Sequence, residues 1–205
     1  MHTTITPFTL TFWKGERPPG KPRPRGWQGT SPEYGDIRVL WPAPPHVDER
    51  IATQVSGELI PTVTLETRGI HAELLVLPSL NRSTVRVGDG LASLSRNRFA
   101  MTKRGRSLRM TYLGDHYRLT AIDRKAYTLA RTPDADDPGV VLTVRQSGLG
   151  KGKKVSVQAN GRVLPADLAL AVLFSGVDRA VLTRGGAVRA GIARISHFWA
   201  ETYTP

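Results

Sequence analysis

The sequence predicts a mainly β fold, a β-barrel or strongly curved antiparallel sheet of about ten to twelve strands that encloses a hydrophobic helix near the C-terminus. Two observations predict this fold. From Ile51 onwards, short runs of alternating apolar and polar residues follow one another at a spacing of roughly ten residues, with turn residues between them. The stretch DLALAVLFSGVDRAVL, residues 167–182, then has no polar side chain between Leu168 and Phe174.

The size and composition of the chain are those of a folded protein. It has 205 residues, of which 40% are apolar, so it can build a substantial hydrophobic core. No run reaches the roughly eighteen consecutive apolar residues of a membrane span, and the first residues lack the pattern of a secretion signal. Cysteine is absent, which excludes disulfides, thiol nucleophiles and cysteine-bound zinc. We therefore expect a cytoplasmic protein without a transmembrane segment, able to act peripherally at a membrane.

Residues 1–50 are expected to form an N-terminal strand and a proline-rich segment that can pack on the main domain. TPFTLTFW, residues 6–13, alternates as a strand does, whereas KGERPPGKPRPRGWQG, residues 14–29, predicts a loop or an arm. DIRVLW, residues 36–41, predicts a short second strand. The barrel itself is expected to occupy residues 51–205.

The predicted strands of the barrel have one face suited to a core and one suited to water. SLRMTYL, residues 107–113, and KKVSVQA, residues 153–159, show the alternation clearly, and IHAELLVLP, residues 70–78, predicts a further strand. Several connectors are short, and others contain Asp-Pro-Gly or several glycines. Such connectors are typical of antiparallel hairpins rather than of helical crossovers.

The predicted helix covers about residues 166–183. Pro165 suits a first helical turn, Asp167 suits the positive end of the helix dipole, and Gly185–Gly186 provides a stop. A helix that is apolar on every side has to be surrounded by protein, and the strands are the only material available. We therefore expect the strands to wrap around it. Residues 187–203 predict either a further helix or a closing strand.

This order of elements resembles the tubby-like fold, which is shared by the tubby C-terminal domain, the LURP-one-related proteins and the phospholipid scramblases. The resemblance rests on architecture and on ANGRVLPADLALAVLFSGVDRAVL, in which a strand and a turn lead into an apolar helix that ends in Val-Asp-Arg. It extends from about Ile51 to Thr183. It implies a closed antiparallel barrel threaded by a hydrophobic helix and, for tubby itself, phosphoinositide binding. The residues responsible in tubby cannot be matched here one by one, so the resemblance assigns no site residue.

The net charge of +12 indicates an anionic partner. Between Arg82 and Arg131 there are twelve basic residues and three acidic ones, and a surface of this kind attracts phosphates or anionic headgroups. Arginine supplies 22 of the 29 basic residues, while alanine, glycine, proline and valine are also abundant, so a coding bias would produce the same composition. Both interpretations stay open at this point.

Two basic segments are candidate anion-binding surfaces. RNRFAMTKRGRSLR, residues 96–109, has no acidic residue, its arginines suit phosphate, and Phe99 could insert into a headgroup layer or stack on a base. GLGKGKK, residues 148–154, lacks the spacing of a phosphate loop and precedes a strand, but its lysines can meet an anion. The alternatives are a loop whose charge reflects coding bias and an ordinary flexible hairpin tip. The candidate residues are Arg96, Arg98, Lys103, Arg104, Arg106, Arg109, Lys151, Lys153 and Lys154.

The sequence predicts no catalytic residue, metal ligand or cofactor. Our first hypothesis is a non-enzymatic binding module of tubby-like type that docks on an anionic phospholipid surface or another polyanion. The second is a nucleic-acid-binding protein, which the same charge favours although no reading motif is present. The third is an enzyme with an unrecognised pocket, for instance where Asp115, His116 and Asp123 fall near adjacent strand ends.

Overall fold

The alternating strands of the sequence form one continuous ring. The computed structural model describes residues 5–17, 19, 23–43, 50–69, 77–97, 100 and 102–183, with the backbone alone described for Lys103, Arg104 and Lys151. The strands within these residues are, in chain order, β1 (Phe8–Lys14), β2 (Arg25–Ser31), β3 (Gly35–Trp41), β4 (Arg50–Gly57), β5 (Val63–Arg68), β6 (Ser83–Val87), β7 (Gly90–Ser95), β8 (Leu108–Tyr112), β9 (Asp115–Ala121), β10 (Ala126–Arg131), β11 (Val140–Ser147) and β12 (Lys154–Gly161). A short helix, α1 (Lys103–Arg106), precedes β8.

The ring closes into an antiparallel barrel. Each strand pairs with its neighbours in sequence, and β1 pairs with β12, where Phe8 lies opposite Val157 and Leu10 lies opposite Val155. These four side chains are buried, while the residues between them point outwards. Among the twelve described strands, closure leaves no row of unpaired backbone groups at an edge. The predicted fold class, a mainly β barrel with a C-terminal helix, is confirmed.

The barrel begins at Phe8 and not at Ile51, the residue from which the sequence pattern predicts it. β1 and β3 match two of the predicted strands, and β2 lies at the end of the stretch predicted to be a proline-rich loop. β2 has little alternation of its own, but Trp27 points into the core and the backbone is paired with β1 and β3. Residues 70–76 of the predicted strand 70–78, and the predicted C-terminal segment 187–203, lie outside the described residues.

The helix α2 (Pro165–Leu173) lies inside the barrel. Its residues from Asp167 to Leu173 are 0% exposed. It contacts β4 and β5 on one wall and β10 and β11 on the wall that is six strands away around the ring. Because this helix is apolar on nearly every face, burying all of its faces is favourable. The strands therefore enclose the helix, as the sequence predicts.

The helix ends earlier than the predicted residue 183. The chain continues as a 3₁₀ turn over Phe174–Gly176, becomes extended at Val177, and makes a further 3₁₀ turn over Ala180–Leu182. A Cβ atom on Gly176 would lie 2.7 Å from Cγ2 of Thr53. The missing side chain thus allows the end of the helix to touch the barrel wall.

The start of the helix is fixed by a buried ion pair. Arg131, on β10, donates from Nε to both carboxylate oxygens of Asp167, at 3.0 and 3.2 Å. The same carboxylate accepts hydrogen bonds from the hydroxyl of Tyr117 at 2.9 Å and from the backbone N–H of Leu164 at 2.8 Å. Burial raises the pKa of Asp167, although these hydrogen bonds oppose the rise. Asp167 thus joins the first turn of α2 to β9 and β10.

The antiparallel order gives the barrel two distinct ends. Odd-numbered strands run in one direction and even-numbered strands in the other, so every connection that follows an odd-numbered strand lies at the same end. We call the end with the connections that follow odd-numbered strands the loop end, and the end with the connections that follow even-numbered strands the turn end. α2 begins at the turn end, after β12, and stops at the loop end, where the carbonyl of Ser175 accepts hydrogen bonds from Trp27 and Gln146.

Candidate functional site

Both of the predicted basic segments lie at the loop end. Residues 96–107 of the first segment follow β7, and residues 148–153 of the second follow β11; both strands are odd-numbered, and Arg109 and Lys154 lie in the strands that come next, β8 and β12. The two segments leave the ring four strands apart, so they share an end of the barrel without forming one cluster. The order of the strands therefore places the two candidate surfaces on the same side of the molecule.

The residues of the first segment have different environments. Arg96 donates from Nη2 to Oδ1 of Asn81 at 2.7 Å. Arg106 is buried, with 6% of its surface exposed, so it is not part of the outer surface. Arg109 is exposed on the outer wall of β8, opposite Arg118 of β9. Lys103 and Arg104 lie in α1, and Arg98 lies outside the described residues.

The second segment forms a glycine-rich loop with a 3₁₀ turn over Gly150–Gly152. Lys153 and Lys154 are exposed, and Lys151 belongs to the 3₁₀ turn. Leu149, at the start of this loop, is 83% exposed. The segment thus combines an exposed apolar side chain with two exposed lysines, Lys153 and Lys154.

The two ends of the barrel differ in charge. Among the described residues, the connections at the turn end contain six acidic residues and one basic residue, which are Glu33, Glu58, Asp89, Asp134, Asp136, Asp137 and Arg162. The described connections at the loop end between β1 and β12 contain two acidic and eleven basic residues, which are Glu16, Asp123, Arg17, Arg23, Arg82, Arg96, Lys103, Arg104, Arg106, Arg124, Lys125, Lys151 and Lys153. Among the described connections, the positive charge is therefore concentrated at the loop end.

An aromatic cavity lies at the loop end, beside the end of the helix. Phe12, Trp27 and Trp41 come from three adjacent strands, and the ring centroid of Trp27 lies 5.3 Å from that of Phe12 and 5.9 Å from that of Trp41. These rings form part of the wall of a cavity of about 390 Å³. This volume falls within the range of small-molecule sites. We call this cavity the aromatic pocket.

The rim of the aromatic pocket is cationic. Arg25, Lys125 and Lys153 contribute to its lining, and the described lining residues include no carboxylate. The ammonium of Lys153 lies 5.7 Å from the ring centroid of Phe12, and that of Lys14 lies 5.9 Å from the same ring. Among the described residues, no carboxylate forms an ion pair with Lys125 or Lys153.

A second cavity, of about 470 Å³, adjoins the aromatic pocket and shares Leu77, Gln146 and Ser175 with it. Arg179 lies in its wall and is buried. Its guanidinium donates to the carbonyl of Phe174 and, at 3.0 Å, to that of Val177. It also lies 4.3 Å from the ring centroid of Tyr127, and burial lowers its pKa. Because a cation at the carboxyl end of a helix is stabilising, we assign Arg179 a structural role.

The residues of the enzyme hypothesis are separated by the fold. Asp115 and His116 begin β9 at the turn end, whereas Asp123 follows this strand at the loop end. A strand rises about 3.3 Å per residue, so Asp123 lies roughly 25 Å from Asp115. The three side chains therefore cannot flank one cleft.

Sequence reasoning missed the aromatic pocket. Phe12 and Trp41 fall in predicted strands, but Trp27 falls in a stretch predicted to be a loop. The sequence signal was the presence of three aromatic residues among basic and proline-rich segments, and only the pairing of β1, β2 and β3 brings them together.

Within the described residues, none of the helices has both the length and the apolar composition needed to cross a membrane. Comparison of the chain with protein-family models, with curated proteins and with solved structures finds no match.

Proposed function

We propose that this chain is a non-enzymatic binding module of tubby-like type whose loop end docks on an anionic phospholipid surface. The observation that carries the proposal is the concentration of basic residues in the described connections at the loop end, opposite a turn end whose described connections are acidic. On this proposal the protein is cytoplasmic and binds peripherally at a membrane. Another polyanion is the alternative ligand.

The architecture supports the tubby-like part of the proposal. A closed twelve-stranded antiparallel barrel around a buried helix is what the resemblance implies. The resemblance rests on this arrangement and on the stretch that leads into and forms the helix, and a fold hosts many functions. The charge and shape of the loop end therefore support the functional part of the proposal.

The electrostatics favour one orientation of the molecule. An anionic leaflet attracts basic residues with about 1 kcal/mol each near the surface, and the attraction falls off within a Debye length of about 10 Å. The acidic turn end is repelled by the same field. Attraction of one end and repulsion of the other would turn the loop end towards the membrane.

The glycine-rich loop also suits a lipid surface. Leu149 is 83% exposed and lies two residues before Lys151. An exposed apolar side chain beside lysines can enter the boundary between headgroups and acyl chains while the lysines meet phosphates. The loop therefore combines the two interactions that hold a peripheral protein on a bilayer.

Co-sedimentation with vesicles tests this proposal. The parent protein is expected to sediment with phosphatidylserine-containing vesicles and not with phosphatidylcholine vesicles, and high salt should release it. A double variant, Arg104→Glu with Lys154→Glu, changes one residue in each basic segment. Binding should weaken by about tenfold or more in this variant, since each basic residue near the surface contributes about 1 kcal/mol.

A second double variant controls for net charge. Arg86→Glu with Arg118→Glu gives the same change in charge, but both residues lie on the wall of the barrel, in β6 and β9. This control is expected to bind anionic vesicles better than the loop-end variant does. Equal binding by the two variants would show that the loop end is not the docking surface.

Nucleic acid is the second candidate, because phosphate backbones are attracted by the same charges. A gel-shift titration at low salt distinguishes the two. If duplex or single-stranded nucleic acid shifts the parent protein while anionic vesicles fail to bind it, the lipid proposal is overturned. No shift at low salt would remove the nucleic-acid alternative.

A further inference from the structure

We propose that the aromatic pocket binds one molecule of a small anionic amphiphile, with an apolar body and a single carboxylate or phosphate. This inference rests on the pocket and not on the docking surface proposed above. The two are independent, because a pocket can take up a dissolved molecule without any membrane.

The wall of the pocket provides an apolar surface. Phe12, Trp27 and Trp41 pack against one another, and Leu77 and Leu149 also line the cavity. Trp27 is already hydrogen-bonded through its indole N–H to the carbonyl of Ser175 at 3.3 Å. The Trp27 indole therefore needs no polar partner from a ligand, and a ligand body in contact with the three rings should be apolar.

The rim of the pocket selects the charge of the ligand. Lys125 comes from the turn between β9 and β10, and Lys153 comes from the glycine-rich loop before β12. These lysines have no carboxylate partner among the described residues, and the described lining contains no acidic residue that would repel an anion. A carboxylate or phosphate at the rim would supply the missing counter-charge. A cationic or neutral head group would not supply this counter-charge.

The position of the pocket limits the size of the ligand. Its floor is the end of the buried helix, where the Ser175 carbonyl is held by Trp27 and by Gln146 at 2.8 Å. A volume of about 390 Å³ is near the lower limit of sites for drug-sized ligands. The pocket therefore suits a single short chain or a small ring system, and not a two-chain lipid.

Titration with sodium decanoate below its aggregation concentration tests the proposal. Decanoate is expected to bind the parent protein at a single site, detected by calorimetry and by a change in tryptophan fluorescence, because Trp27 and Trp41 form the wall. Acetate has the charge without the apolar body, and decanol has the apolar body without the charge. Acetate and decanol are both expected to bind about tenfold or more weakly than decanoate, because acetate lacks the apolar contacts of the alkyl chain and decanol lacks the charge-assisted hydrogen bond of the carboxylate.

Two neighbouring lysines provide a matched pair of variants. Lys153→Glu removes a cation from the rim and should weaken decanoate binding by about tenfold. Lys154→Glu changes the charge by the same amount at the next residue, whose exposed side chain does not line the pocket. This variant should bind decanoate within about twofold of the parent. Lys125→Glu, on a different turn, is expected to behave as Lys153→Glu does. Circular dichroism checks that each variant is folded.

The possible results separate this inference from the proposed function. Absence of decanoate binding, equal binding of decanol, or equal effects of Lys153→Glu and Lys154→Glu would each overturn the pocket proposal. None of these results changes what the vesicle experiment shows. Conversely, Lys154→Glu is expected to weaken vesicle binding while decanoate binding is retained.

Discussion

The guanidinium of Arg131 contacts both carboxylate oxygens of Asp167, and this pair joins the barrel wall to the first turn of the helix inside it. Both residues are buried. We predict that Arg131→Met destabilises the protein by about 3–5 kcal/mol, because the Asp167 carboxylate would remain buried without its cation. Urea unfolding followed by circular dichroism measures the change.

Two further variants establish whether the effect belongs to the pair. Arg118→Met, on the outer face of β9, should cost less than about 1 kcal/mol, as is usual for a surface change. Arg131→Met combined with Asp167→Leu should be less destabilised than the sum of the two single variants, since the second change removes the unpaired charge. Additive effects would contradict a direct interaction.

Asp137 gives a prediction for pH dependence. Desolvation acts to raise the pKa of Asp137, but hydrogen bonds from Arg131 and from the Gly139 N–H, with the charges of Arg131 and Arg162, together lower it. A lowered carboxyl pKa in the folded state stabilises the protein above the ordinary value of about 3.9. This contribution is lost as the pH falls below that value.

Asp137→Asn is therefore expected to be less stable than the parent at neutral pH and to lose less stability on acidification. Unfolding curves between neutral pH and about pH 3 measure both effects. Asp89→Asn, in the turn between β6 and β7, serves as the control because Asp89 is exposed and forms no ion pair among the described residues. Parallel pH profiles for the parent and Asp137→Asn would contradict the assignment.

Gly176 is required for the close approach of the helix end to the wall. A Cβ atom there would lie 2.7 Å from Cγ2 of Thr53 and 2.9 Å from Cε3 of Trp41. Gly176→Ala is expected to destabilise the protein by about 1–3 kcal/mol through overpacking. Gly152→Ala, where a Cβ atom would meet nothing within 4 Å, should be close to neutral in the same unfolding assay.

Leu113 lies in a backbone conformation that leucine adopts rarely. It has a φ of 50° in the turn between β8 and β9 and is 84% exposed. Leu113→Asn should stabilise the protein by about 0.5–1 kcal/mol, because asparagine tolerates this conformation better. Leu149→Asn, equally exposed but with a φ of −131°, should show no such gain in thermal unfolding. A loss of stability in Leu113→Asn would contradict the prediction.

The sequence predicts the helix and most of the barrel because their patterns are local. β8 and β12 alternate between apolar and polar residues, and the stretch from Leu168 to Phe174 is uniformly apolar. β2 could not be predicted, since RGWQGTS has one large apolar side chain and two glycines. Its structure depends on the strands on either side.

The candidate site depends on information that is not local. A loop lies at one end of the barrel or the other according to whether the strand before it is odd-numbered or even-numbered in chain order. Missing β2 changes that count for the strands that follow. The basic character of segments 96–109 and 148–154 was therefore predictable, whereas their position at one end was not. The aromatic pocket likewise requires the register of β1, β2 and β3.

The orientation of the protein on a membrane is the most direct test of the central claim. The chain contains no cysteine, so a single introduced cysteine can be labelled specifically with a polarity-sensitive fluorophore. Leu149→Cys places the label at the loop end and Leu113→Cys places it at the turn end, at sites of nearly equal exposure. With phosphatidylserine-containing vesicles, we predict a blue shift and increased intensity for the label at residue 149 and no change for the label at residue 113. Equal responses at the two sites, or a response at residue 113 alone, would contradict docking through the loop end.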